Sequence, residues 1–296
     1  MIANDAGQLQ AHASSWMEII FNPSMPYRLT HMLLASGLTA SFLVAGISAF
    51  RWLLHDRSAA VMKAMKTGVF IAAFLIPIQI FVGDLHGLNT KEYQPAKVAA
   101  MEGLWETQKG APRVLFGIPN AETQSNDYAI EIPKLASFIL THEWDGELKG
   151  IDAFEHAPPV APIFWAFRIM VGTGIAMLLV SWTAGFTLWR KKDINKPVAY
   201  ILVAMTFAGW VATISGWYVT EIGRQPWLVQ GVLTTEEALG PVAGGMVAST
   251  LIAYLATYAV LLIAYISTLI YMARRAGDGG NRDPVRGGVQ GAERRN

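Results

Sequence analysis

Apolar residues gather into five long runs, at about 27–54, 59–82, 162–188, 197–221 and 242–273. Each supplies the roughly 20 residues a helix needs to cross the hydrocarbon of a bilayer. The pattern predicts an all-α, polytopic membrane helix bundle. It divides the chain into an N-terminal surface segment (1–26), a first pair of spans (27–83), a long polar interval (84–160), three further spans (161–273) and a tail (274–296). Within the interval, residues 94–107 open on Pro95 and read as a short amphipathic helix. Residues 16–25 read as a short amphipathic surface piece, and the Gly/Arg-rich, aromatic-poor tail reads as disorder. No charged stretch leads into an apolar run within residues 1–26, so no signal peptide is expected.

Composition agrees with the pattern. The chain is 53% hydrophobic and 15% charged with mean hydropathy +0.34, too apolar for an ordinary soluble domain. A formal net charge of +1 gives no reason to expect nucleic acid as a partner. There is no cysteine, which excludes disulfides, cysteine-ligated iron–sulfur clusters and covalent c-type haem. Any haem must then be held by His, Met or a carboxylate. Ten Trp and nine Tyr suit interfacial belts and cofactor packing equally well.

Charge placement sets an orientation. Arg51, Arg57, Lys63 and Lys66 flank the connection between the first two runs, Arg190, Lys191, Lys192 and Lys196 lie between the third and fourth, and Arg274 and Arg275 open the tail. The positive-inside rule puts all three on the cytoplasmic side, with the N-terminus and the long interval outside. The interval carries twelve acidic against six basic residues, in keeping with the outer side.

With that orientation, the candidate ligands fall at one depth. His31 lies a turn inside the first span and Met170 about two turns inside the third, both in the outer half. An imidazole and a thioether on opposite faces of a haem give a six-coordinate, low-spin iron suited to electron transfer. An intramembrane His is also a common interhelical hydrogen-bonder, and a lone Met usually packs. Arg168 needs an anion, and a haem propionate would serve. It stands two residues from Met170, hence on nearly the opposite side of a straight helix. Trp217, Glu221 and Arg224 follow i, i+4, i+7 spacing and form one stripe where the fourth run ends. Glu221 is either a weak ligand to a high-spin haem iron or the partner of Arg224 in an interfacial ion pair. Lys97 and Glu102, in the short helix of the interval, either flank a small polar ring or are solvated charges. A quinol losing two electrons must also lose two protons, and a carboxylate beside it can accept one.

At these residues the chain resembles subunit I of the cytochrome bd quinol oxidases. The likeness rests on Trp217-xxx-Glu221 followed by Gly223-Arg224-Gln225-Pro226-Trp227, on Lys97-xxxx-Glu102-xx-Trp105-Glu106-Thr107, and on Phe116-Gly117-Ile118-Pro119 with Ile130-Glu131-Ile132-Pro133. It extends to Phe167-Arg168-Ile169-Met170-Val171-Gly172 and Arg28-xx-His31. The resemblance implies that His31 and Met170 ligate a low-spin haem b with Arg168 beside it. It implies that Lys97 and Glu102 bind and oxidise quinol in an extracytoplasmic quinol-binding loop, that Glu221 ligates a high-spin haem b, and that Trp217 and Arg224 assist transfer towards haem d. It further implies an oxygen-reducing, electrogenic enzyme that builds a proton gradient without pumping, with a subunit II and a small accessory subunit as partners. The family's subunit has nine spans, and this chain matches the last five. None of His12, His55, His86, His142 or His156 can be assigned to the missing ligand of the oxygen-reducing centre. The chain is therefore expected to be a C-terminal portion that does not reduce oxygen alone. The alternatives are a reduced quinol-oxidising haem b module, or a transporter-like membrane protein that binds no haem.

Overall fold

The computed structural model describes residues 2–3, 9–10, 15–240 and 242–280. Its helices are α1 (Trp16–Ile20), α2 (Met25–Leu53), α3 (Ala59–Tyr93), α4 (Pro95–Glu102), α5 (Leu135–Thr141), α6 (Val160–Lys191), α7 (Lys196–Ala204), α8 (Ala208–Ile222) and α9 (Gly244–Gly280). Five stretches are long and apolar enough to span a membrane: α2, α3, α6, α7 with α8, and α9. The chain is a multi-pass, mainly helical membrane protein, as its hydrophobic pattern predicts. The surface piece at residue 16 is present as α1, capped by the Ser15 hydroxyl and exposed along its apolar side.

Three features depart from the sequence pattern. First, α3 continues past its expected end at residue 82 to Tyr93, because the polar residues beyond Asp84 keep helical spacing; Thr90 Oγ1 donates back to the His86 carbonyl at 2.8 Å. Second, the fourth span is broken. Around Met205 the chain tightens into i→i+3 bonds, and Thr206 Oγ1 donates to the Val203 carbonyl at 2.6 Å, competing with the helical ladder. Third, the interval contains a β-hairpin, Arg113–Asn120 paired antiparallel with Ser125–Ile132, in addition to its helices. The tail expected to be disordered from residue 274 is instead helical as far as Gly280, where α9 continues without a break, and residues 281–296 lie outside those described.

By its internal contacts the chain forms two compact units. One comprises Gly37–Pro77, Phe167–Trp217 and Gln225–Asn296. Its core is apolar and built on small residues: Ala45, Ala49 and Ala184 pack with Trp52, Met65 and Leu202. Glycines bring the helices close, because lipid tails provide no hydrophobic drive and close packing must hold spans together. A Cβ on Gly68 would sit 2.6 Å from the Ser41 carbonyl oxygen and 2.9 Å from the Ala45 nitrogen, both backbone atoms. At one end of this unit the charges are paired. Arg51 bridges to Asp56, and Trp52 Nε1 donates to Asp193 Oδ1 at 3.1 Å. Burial pushes the Asp56 carboxyl up, but its hydrogen bonds from Ser58 and the Arg51 guanidinium outweigh that and hold it below the usual carboxylate range. In contrast, no residue in the most apolar window of α9 is buried within the chain.

The second unit comprises Met1–Ser36, Ile78–Ala166 and Tyr218–Arg224. Its core is a small cluster around Val98, Leu104, Ala136 and Leu140, which seats α4 and α5 together. Gln108–Lys109 pairs antiparallel with Glu147–Leu148 and draws the polar interval into a closed module.

Substituting Gly68 by Ala is expected to destabilise the protein by about 1–3 kcal/mol, because backbone rather than a flexible side chain must give way. Gly174→Ala, where a Cβ meets nothing within 4 Å, should be neutral or slightly stabilising. Thermal unfolding of the two purified variants in one detergent checks the contrast.

Candidate functional site

Local sequence defines the short helix α4. Pro95 occupies its first turn, where no backbone donor is needed, and Gly103 ends it in the left-handed region at φ 68°. Only glycine suits that position, since a Cβ would also stand 2.9 Å from the Phe164 ring. Asn126 of the hairpin secures the turn: its Nδ2 donates to the Gly103 carbonyl at 2.8 Å, while its Oδ1 accepts from Trp105 Nε1 at 3.1 Å.

Every residue from Lys97 to Glu102 is buried. The two charged ones are five positions apart, about 140° around a helix, so they meet different walls. Lys97 is 5% exposed. Its ammonium donates at 3.2 Å to the Thr220 carbonyl, in the last turn of α8, where the helix dipole carries its partial negative charge. The lysine stem reaches that carbonyl over Gly223, where a Cβ would come within 2.8 Å of its Cγ and Cε. Burial pushes Lys97 down to about 8; Arg28 and Arg224 push the same way and Glu221 opposes them. Glu102 is 4% exposed, and its Oε1 accepts from Arg113 Nη1 at 2.9 Å. It lines a cavity of about 200 Å³ together with Trp105, Glu106, Gln124, Asn126 and Glu131. The burial of both charges rules out the reading of them as solvated surface groups.

His31 sits on α2 in the same unit. Its Nε2 lies 3.1 Å from the Gln79 side-chain nitrogen. Its Nδ1 is buried with no hydrogen-bond partner among the described residues. Gly83 leaves room for the ring, and the His86 ring meets it edge-on with centroids 5.6 Å apart. Glu221 and Arg224 are joined at 2.7 Å, each about half exposed. The interfacial ion pair is therefore present, in a setting worth only about a few tenths of a kcal/mol, and the carboxylate is still accessible.

Met170, Arg168 and Trp217 belong to the other unit. Met170 faces a glycine: a Cβ on Gly216 would stand 3.1 Å from its sulfur. Arg168 is partly buried and Trp217 is 50% exposed. Taken singly, the donor atoms fit a low-spin haem. The histidine keeps an unengaged buried nitrogen, and the thioether sits beside a residue without a side chain.

Sequence reasoning missed four residues of this setting. Arg113 and Asn126 carry no local signal, since their contacts exist only once the hairpin folds. Gln79 and His86 were legible in principle, because Gln79, Gly83 and His86 follow i, i+4, i+7 spacing. The expected helix end at residue 82 cuts that stripe before it reaches Gly83 and His86. His12 lies outside the described residues.

The model of the family described as cytochrome bd terminal oxidase subunit I matches residues 1–277. Cytochrome bd ubiquinol oxidase subunit 1 of Bacillus subtilis (strain 168) is 28% identical over 293 residues, covering 93% of this chain and 62% of that protein. Cytochrome bd-II ubiquinol oxidase subunit 1 of Escherichia coli (strain K12) is 27% identical, covering 91% of this chain and 66% of its own length. The solved structure of the bd oxidase from Geobacillus thermodenitrificans superposes with a TM-score of 0.79 at 32% identity, covering 88% of this chain and 60% of the other. The chain thus spans less than two thirds of the length of these relatives.

Removing the guanidinium beside Glu102 should leave a buried carboxylate without its ion-pair partner. Arg113→Ala is expected to lower stability by about 3 kcal/mol, and adding Glu102→Gln should restore part of the loss. Thermal unfolding of the single and double variants measures both.

Proposed function

The chain belongs to the cytochrome bd terminal oxidase subunit I family, and on that premise we propose that it forms the quinol-oxidising, haem-binding part of a quinol:oxygen oxidoreductase. The assembled enzyme oxidises quinol at the outer face of the bacterial inner membrane and reduces oxygen. It generates a proton gradient without pumping, in complex with a subunit II and a small accessory subunit. The N-terminus lies outside and the C-terminus in the cytoplasm. The oxygen-reducing centre, with its high-spin haem b and haem d, takes Glu221 from this chain and its remaining ligands from elsewhere in the complex.

The burial of a lysine and a glutamate on one eight-residue helix carries this reading. Solvated charges have no reason to be there, whereas a quinol needs a hydrogen-bond donor and a proton acceptor in a place shielded from water. Lys97 donates to a quinol oxygen and orients the ring. Glu102 accepts a proton from a quinol hydroxyl, and Arg113 fixes the position of its carboxylate. The cavity beside Glu102 offers that proton a way to solvent. His31 and Met170 would hold the low-spin haem b and Arg168 would supply a cation for its propionates, while Arg224 steadies Glu221. When bound, the haem supplies a one-electron carrier.

The reduced-minus-oxidised visible spectrum of membranes containing the complex is the direct test. A low-spin b signal should be present in the native protein and lost in both His31→Ala and Met170→Leu. A signal that survives His31→Ala removes the ligand assignment, and the absence of any haem band removes the redox function.

Lys97 also sets a pH dependence. Its ammonium is complete well below pH 8 and is lost as pH rises through about 8. The KM for quinol should therefore rise above pH 8 in the native enzyme. Lys97→Arg, whose guanidinium stays charged throughout, should abolish that rise even if its overall KM is higher.

A further inference from the structure

The first three turns of α3 carry a second cavity, of about 480 Å³, far from the chemistry above in sequence and lying wholly within the other unit. It is lined by Ala59, Met62, Lys63, Lys66, Thr67 and Phe70. These positions follow i, i+3, i+4, i+7, i+8, i+11 and form one continuous face of the helix. Along that face the chemistry changes in order. Two ammonium groups and a hydroxyl come first, and the apolar ring of Phe70 lies about 10 Å deeper than Lys63, at 1.5 Å per residue.

The cations of the neighbouring loop are otherwise engaged. Arg51 pairs with the Asp56 carboxylate, and Arg57 lies 3.4 Å over the Trp52 ring and 4.0 Å from Asp193. Among the described residues Lys63 and Lys66 have no ion pair. Two like charges one turn apart repel, and nothing else lining the cavity offsets them. An anion between them would, and the apolar floor calls for a ligand that is hydrocarbon at its other end.

We propose that this face is a binding site for an anionic phospholipid, with Lys63, Lys66 and Thr67 on the headgroup phosphate and Met62 and Phe70 against the glycerol and upper acyl chain. The charge complementarity is that of basic pockets at the ends of membrane spans. The site commits two lysines to one lipid molecule, which general attraction of basic loops to an anionic leaflet does not.

The test uses the full chain in its purified membrane complex, stripped of lipid and titrated in mixed micelles with phosphatidylglycerol, phosphatidylcholine, inorganic phosphate or glycerol 3-phosphate. Bound lipid is counted by native mass spectrometry. One phosphatidylglycerol should be retained in preference to phosphatidylcholine. The pair Lys63→Gln/Lys66→Gln should bind it about thirtyfold more weakly, since each lysine near the membrane surface contributes about a fivefold share. Lys63→Arg/Lys66→Arg should keep it. The control pair Lys191→Gln/Lys192→Gln removes the same charge from residues that do not line the cavity and should leave retention unchanged. Equal losses in the two glutamine pairs overturn the site in favour of diffuse attraction. Competition by inorganic phosphate or glycerol 3-phosphate at the lipid's own concentration overturns the lipid as ligand and leaves a simple anion site.

Discussion

Two opposite charges buried on one short helix set the terms for the polar half of this protein. A buried ion without a partner is costly, and α4 is too short to let Lys97 and Glu102 neutralise each other from positions about 140° apart. Each must be met by a different element. The α8 terminus meets the lysine with the Thr220 carbonyl, at the negative end of the helix dipole, and the hairpin meets the glutamate with Arg113. Gly223 and Gly103 follow from the same demand. One lets the lysine stem reach Thr220, and the other turns the chain tightly enough for Asn126 to clamp it.

Within the spans the constraint is different. Hydrocarbon cannot reward apolar burial between helices, so cohesion comes from close approach and satisfied hydrogen bonds. Gly68 brings two backbones into contact, and Trp182 Nε1 donates to the Ala73 carbonyl at 3.1 Å. Charges are kept at the ends and paired there, as with Asp56 and Arg51. Where α9 has no such contacts its apolar surface stays open, which suits a helix whose neighbours are lipid or other chains of a complex.

The functional stripe shows what spacing can and cannot say. The spacing puts Trp217, Glu221 and Arg224 on one stripe, and Glu221 and Arg224 do pair. That pairing was one of two alternatives legible in the sequence, and its presence does not remove the other, because a half-exposed carboxylate still has lone pairs to offer. For α4 the outcome was sharper. The sequence left Lys97 and Glu102 open between a solvated and a functional role, and their burial decided against the solvated one.

By itself the sequence determined the number of spans, their order, the short helix after Pro95 and the residue types from which any haem or quinol site must be built. These are local properties: run length, helical period and the chemistry of single side chains. Only the tertiary structure decided that α3 carries Gln79 and His86 to His31, that the interval folds back as a hairpin, and that Arg113 reaches Glu102. Each of those contacts joins residues from separate elements or separate turns. No periodicity records it, because the energy that selects it comes from burying charge and closing space between elements rather than from the propensity of either one.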